Sequence, residues 1–89
     1  MEFYVYILYS KTHDRYYIGQ TNDINARIKR HNNGYVKSTK PFRPWELVRL
    51  ETYSDRATAM TRENQLKSWK SKTKITELVN NSKWFLIVL

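Results

Sequence analysis

The chain has 89 residues, and its sixteen Lys and Arg outweigh eight Asp and Glu for a formal charge of +8. That length supports one core burying roughly 60 to 65% of the unfolded surface and excludes a second, so one domain over residues 1–89 is expected; the charge favours an anionic partner, nucleic acid ahead of an anionic membrane, through counterion release from phosphates. There is no cysteine, which excludes a disulfide framework and a thiolate zinc site, and two histidines alone make a poor zinc set.

The opening Met1-Glu2-Phe3 lacks the basic then apolar pattern of a signal peptide, and the longest apolar run, residues 84–89, is too short to span a bilayer. A soluble, cytoplasmic protein is the expectation. Residues 3–10 are dense in aromatic and β-branched side chains, 11–15 are a polar connection, and 16–21 again read as a strand, which together make a β-hairpin. A loop of that length permits more than one register. The register that pairs Leu8 with Tyr17 sets Tyr6 opposite Gly19, so that Tyr6 and Tyr17 share a face. Asn22 or Thr21 can cap a helix running to about residue 33, with Ile24 and Ile28 on its buried side and Gly34 at the left-handed position where helices end. Pro41 and Pro44 forbid regular structure across 39–44, and 45–53 reads as a third strand. Ser54 is then expected to cap a helix over about 55–69, and a shorter helix over about 73–80 precedes the apolar tail. The order is ββαβαα, an α+β fold.

Glu63 breaks the pattern of its helix. Ala59, Met60, Leu66 and Lys67 lie three or four positions away, so the carboxylate shares the stripe that should face the sheet. Burying it unpaired costs several kcal/mol, so it needs a cationic partner, hydrogen-bond donors or a metal ion. Periodicity leaves open a structural pair with Arg27 or Arg49, or a partly exposed edge position. Arg27 and His31, four apart, project from one side of the first helix beside the Ile24 and Ile28 stripe, and both should sit near the sheet edge. An Arg there can offer a planar fork of donors to a phosphate, and a His can move a proton near neutral pH. The alternative is a solvated basic helix in which Arg27, Lys29, Arg30 and His31 aid solubility or touch nucleic acid.

Arg62, Lys67, Lys70, Lys72 and Lys74 surround the end of the second helix and the next turn, with Glu63 the only acid between 62 and 74, and read as a phosphate track. Trp69 among them can stack on a base or cover the core. The apolar residues 84–89 read as packing onto the sheet or the third helix, or as a self-association surface.

Tyr4-Val5-Tyr6-Ile7-Leu8 and Tyr17-Ile18-Gly19-Gln20-Thr21-Asn22 stand with ten residues between Tyr6 and Tyr17. Residues 27–34, then Pro44-Trp45-Glu46-Leu47-Val48, then Ala59-Met60-Thr61-Arg62-Glu63 with Leu66-Lys67, follow in order. Across most of the chain these segments resemble the GIY-YIG nuclease superfamily, in the small single-domain branch related to the nuclease domain of the excinuclease C subunit. The resemblance implies a three-stranded antiparallel sheet flanked by helices. It also implies an endonuclease that hydrolyses phosphodiester bonds in DNA, structure- or end-directed and of the repair or recombination kind. By position, Glu63 would be the ligand of one divalent cation, Mg2+ or Mn2+, and Arg27 would stabilise the phosphate. Tyr6 and Tyr17 would lie close to the attacking water, with Tyr17 as its base, His31 would assist, and Gly19 would stay bare where the substrate backbone approaches.

The chemistry agrees with those roles. Phosphodiester hydrolysis needs a deprotonated water and neutralised charge on the phosphorane and leaving alkoxide, and one carboxylate suffices for a magnesium ion that keeps several waters. A tyrosine base, whose ordinary pKa is about 10, needs a nearby cation to favour its phenolate, so activity is expected to rise above neutral pH. Tyr4 stands where the name motif has glycine, and Gln20 stands where some relatives have lysine, which removes one phosphate-binding cation. With no length left for a separate DNA-binding module, specificity is expected from shape, ends, branches or a protein partner. DNA is expected ahead of RNA, a monomer ahead of a homodimer, and no membrane. The alternative is a module that keeps the fold and binds nucleic acid without turnover.

Overall fold

The computed structural model describes residues 1–81, so the expectations for the apolar tail at 84–89 lie outside the described residues. Strands β1 (Phe3–Ser10), β2 (Arg15–Thr21) and β3 (Glu46–Tyr53) and helices α1 (Ile24–Asn32), α2 (Arg56–Ser68) and α3 (Lys72–Asn80) follow one another in the order ββαβαα. The strands form one antiparallel sheet with β1 in the middle, in the order β2-β1-β3. Leu8 lies opposite Tyr17 and Tyr6 opposite Gly19, the register that places both tyrosines on one face.

Val5, Tyr6, Ile7 and Leu8 are all buried, as a central strand covered on both faces requires. The alternation of the strand divides them between two cores. Val5 and Ile7 pack with Ala59 and Leu66 of α2 and Ile75 of α3, while Tyr6 and Leu8 pack with Trp45, Tyr17, Ile24, Ile28 and Phe42. Helix α1 therefore covers one side of the sheet, and α2 and α3 cover the other.

Each helix starts on a cap one residue from the expected start or cap. Asp23 caps α1 by accepting from the Ala26 N–H, and Asp55 caps α2 by accepting from the Thr58 N–H, where Asn22 or Thr21 and Ser54 were expected. A carboxylate at these positions satisfies an orphan amide and also complements the positive end of the helix. Thr21 does a different job: its hydroxyl accepts from the Asp23 N–H at the turn out of β2. Ser71 caps α3, which begins at Lys72. Gly34 ends α1 as expected, with φ 80° and two closing bonds, Gly34 N–H to the His31 carbonyl and Tyr35 N–H to the Arg30 carbonyl.

The proline-bearing segment is more ordered than its sequence implies. Lys40–Phe42 form a turn of 3-10 helix with Pro41 near its start, where a missing N–H leaves no bond unmade. Asn32 then ties the end of α1 to the start of β3: its Oδ1 accepts from the Trp45 N–H at 2.6 Å and its Nδ2 donates to the Trp45 carbonyl at 3.0 Å. Among the described residues no helix is long and apolar enough to cross a membrane.

Candidate functional site

Tyr6 stands at the centre of the residues singled out above. Its ring lies directly over Gly19: a Cβ on that glycine would come within 2.5 Å of the Tyr6 hydroxyl oxygen and 2.6 Å of Cζ. The room that a bare strand position was expected to leave for the substrate backbone is thus filled by Tyr6 itself. Tyr17, half-buried on the same face, has its ring centroid 6.3 Å from that of Tyr6 and 4.8 Å from that of His31.

His31 does not sit at an open sheet edge as expected. It is 1% exposed, because at spacings of four and three it continues the stripe of the half-buried Ile24 and Ile28 on the face of α1 turned to the sheet. Both ring nitrogens are engaged: Nε2 lies 3.1 Å from the Tyr6 hydroxyl and Nδ1 lies 2.8 Å from the Thr39 hydroxyl. Burial, then the charges of Arg27 and Arg30, push its pKa below the ordinary histidine value, so the ring is neutral near neutral pH.

Arg27 is half-buried, and its charge and that of Glu63 are both felt at Tyr6. Burial is the main reason that this phenol titrates well above its ordinary pKa, Tyr17 and Glu63 add to the shift, and Arg27 opposes it. Tyr6 is consequently a neutral phenol. Glu63 comes from the helix on the other side of the sheet, so the cluster draws on both layers. Its side chain is 17% exposed, and its Oε2 lies 2.9 Å from the Lys67 ammonium one turn on. Neither Arg27 nor Arg49 is the partner that periodicity suggested: the Arg49 Nε binds Glu51 at 2.8 Å, on the strand side of α2.

The expected phosphate track divides into residues that face a groove and residues that do not. Lys67, Lys70 and Lys72 line a groove of about 470 Å³ with Tyr16, Tyr17 and Ile18 along β2, which brings three of the basic residues to the Tyr17 side. Lys67 is paired with Glu63 there, and Lys72 with Asp14. Arg62 is committed elsewhere, its Nε and Nη2 bonding the two oxygens of Glu51 at 2.9 and 3.1 Å, since its position on α2 faces the sheet. Burial raises the Glu51 pKa, but the hydrogen bonds from Arg62, Tyr53 and Arg49 outweigh it and hold the carboxyl at about 2. Lys74 is exposed with its ammonium 5.6 Å from the Trp69 ring centroid, and Trp69 itself packs against the core under α2. Lys29 and Arg30 are exposed on α1, on the other layer.

Among the described residues no group of three or more His, Asp or Glu side chains gathers to hold a metal. What is present fits a hard cation that keeps most of its water: a half-buried carboxylate whose Oε1 takes no hydrogen bond from the described residues. Thr39, Asn32 and Trp45 also belong to the surroundings of His31, the Trp45 Nε1 donating to the Thr39 carbonyl at 2.9 Å. Sequence reasoning passed over all three in this role. The signal that could have found Thr39 is the His31 stripe position, because a buried imidazole needs a partner at each nitrogen.

The family model of the GIY-YIG catalytic domain matches residues 2–76 of this chain. A UPF0213 protein of Staphylococcus epidermidis is 43% identical over 60 residues, covering 66% of this chain and 73% of that protein, and one from Staphylococcus aureus is 38% identical with the same coverage. The solution NMR structure of a UPF0213 protein from Bacillus halodurans matches with a TM-score of 0.57 at 36% identity, covering 90% of this chain and 84% of that one. Nucleases of the GIY-YIG type generally use a divalent metal. With the hairpin register, the tyrosine pair and the matched span in agreement, the chain belongs to the GIY-YIG nuclease family, among its small UPF0213 members.

Proposed function

We propose that this protein is a metal-dependent endonuclease that hydrolyses phosphodiester bonds in DNA, with Tyr6, Tyr17, Arg27, His31 and Glu63 as its catalytic residues. The observation that carries the reading is the cluster of Tyr6, Tyr17 and His31 on one face of the sheet, with the charges of Arg27 and Glu63, from helices on opposite layers, both felt at Tyr6. A structural ion pair would have joined those two charges to each other. Glu63 would hold a divalent cation, Mg2+ or Mn2+, which when bound would supply Lewis-acid stabilisation of charge on the reacting phosphate.

The chain's own residues do the rest. Arg27 offers its donor fork to the phosphate, where charge stabilisation is worth most in a partly dehydrated site. Tyr17, on the open side of the pair, takes the proton of the attacking water, and Tyr6 orients that water while His31 holds the Tyr6 ring. Lys67, Lys70 and Lys72 guide the phosphate backbone along the β2 groove toward Tyr17, with Lys29 and Arg30 as outer contacts. A small one-domain protein of this kind suits structure- or end-directed cutting in repair or recombination. It would work in the cytoplasm as a monomer, with a protein partner supplying further specificity.

A second reading, a module that binds nucleic acid without cutting it, is favoured by one observation: the Lys67 ammonium already lies against Glu63 Oε2, so a cation at Oε1 would share the carboxylate with a positive charge. Incubation with labelled single-stranded, duplex and branched DNA, and with RNA, in Mg2+ or Mn2+ separates the two. The nuclease reading expects cleavage by the wild type and a loss of about a hundredfold or more in both Glu63→Gln and Arg27→Ala. Binding without cutting in every combination would establish the binding module instead, and undiminished cleavage by Glu63→Gln would remove Glu63 from the catalytic set.

A further inference from the structure

The hydrogen bonds behind Tyr6 form a buried chain whose direction can be worked out from its far end. Tyr6 and His31 are 1% exposed and Thr39 is 2% exposed, so no solvent intervenes among them. The Thr39 hydroxyl lies 2.8 Å from His31 Nδ1 and 3.3 Å from the Val36 carbonyl. A carbonyl oxygen only accepts, so a Thr39 hydroxyl that gives its single hydrogen to Val36 is left to accept from Nδ1–H. Nε2 is then bare, and the Tyr6 hydroxyl, 3.1 Å away, donates to it. With its hydrogen so directed, the Tyr6 oxygen keeps its remaining lone pair free to accept.

The opposite arrangement has Thr39 donating to Nδ1 and Nε2–H donating to Tyr6. It takes the threonine hydroxyl away from Val36 and turns the phenol hydrogen away from His31, where no other acceptor bonds it among the described residues. Thr39 is itself well anchored for the task. Its N–H donates to the Val36 carbonyl at 3.1 Å, and its carbonyl accepts from the Trp45 indole at 2.9 Å.

We propose that Thr39 is a positioning residue: by accepting from Nδ1–H it sets the tautomer of His31, which draws the Tyr6 hydrogen to the buried side and leaves the Tyr6 oxygen as an acceptor in the site. The catalytic consequence rests on the nuclease reading given above; the tautomer does not. A ring nitrogen's state is decided by the hydrogen bond its partner nitrogen makes, so a buried threonine two bonds from the tyrosine controls which way a phenol points.

Long-range proton–nitrogen NMR of the full 15N-labelled chain tests this directly, with His13→Asn removing the second imidazole. The wild type should show one His31 tautomer with its hydrogen on Nδ1. Thr39→Ser should keep it there, and Thr39→Val, which offers no acceptor, should move it to Nε2. With a substrate that the wild type cuts, Thr39→Val should slow cleavage about tenfold or more while its Kd for uncut DNA stays within about twofold, and Thr39→Ser should restore the rate. A wild-type hydrogen on Nε2, or an Nδ1 hydrogen that Thr39→Val leaves in place, overturns the proposal. So does a cleavage defect that Thr39→Ser shares, or one matched by equal loss of binding, since either marks a merely structural residue. If the wild type cuts nothing, the nuclease reading falls and the tautomer measurement still decides the role of Thr39.

Discussion

Tyr6 can lie flat against the sheet only because position 19 has no side chain. The overlap that a Cβ would create, 2.5 Å from the phenol oxygen, cannot be relieved by a small shift, since the ring is buried on all sides and bonded to His31. Gly19→Ala should therefore destabilise the fold by about 1 to 3 kcal/mol, the usual penalty for overpacking a filled core, as read from urea unfolding. An unchanged midpoint would mean that the Tyr6 ring has somewhere else to go. The same residue scale explains why His31 was misjudged: at a period of 3.6 it belongs with Ile24 and Ile28, but a titratable residue flanked by Lys29, Arg30 and Asn32 reads as exposed until the burial is seen.

Between elements, the side chain that fastens α2 to the sheet is Arg62, whose two-pronged contact with Glu51 sits beside the Arg49 and Tyr53 bonds to the same carboxylate. Glu51 has a folded pKa of about 2 against an ordinary 4.5, so it binds its proton less readily when folded. Its stabilising contribution is fully present above about pH 4.5 and is lost as pH falls through the range down to about 2. Unfolding free energy measured against pH should fall across that window in the wild type. Glu51→Gln should be less stable near neutrality and show a shallower fall, because the carboxylate that gains a proton is gone. Equal slopes in the two proteins would mean that Glu51 is not the group that links α2 to acid. An isolated reading of α2 assigned Arg62 to nucleic acid for want of this information, since Glu51 is on a different element eleven residues away.

At the scale of the whole molecule, a charge of +8 is distributed over a sheet that is covered on both faces, which leaves the groove along the outer strand β2 as the place where basic side chains meet a site tyrosine. Each lysine that contacts phosphate there should contribute about 0.7 to 0.9 to the slope of log affinity against log salt concentration. Lys67 and Lys72 already hold Glu63 and Asp14, so Lys70 should contribute most. Lys70→Asn removes the charge while tolerating the left-handed backbone at φ 48°, and it should flatten the salt dependence of DNA binding by nearly a full contact. Lys74→Gln, whose parent side chain lies over Trp69 outside the groove, should leave the slope unchanged. The reverse ranking would move the nucleic-acid path away from β2.

Local sequence signals sufficed for the order of elements and for the glycine that ends α1, and they allowed the hairpin register that sets Tyr6 opposite Gly19, which the structure selects among the alternatives. Those features depend on neighbours close in the chain, where a period of two or of 3.6 assigns every side chain to a face. The first helix caps were missed by one residue for a local reason, a choice between adjacent polar side chains that composition does not rank. The partners of the charged groups are a different matter. Arg62 closes on Glu51 and His31 is shut between Tyr6 and Thr39, pairings that follow from how each helix docks on the sheet, while Glu63 meets Lys67 one turn along its own helix instead of an arginine. Long, flexible charged side chains can reach many partners from one position, so only the packed arrangement of the layers decides which contact is made.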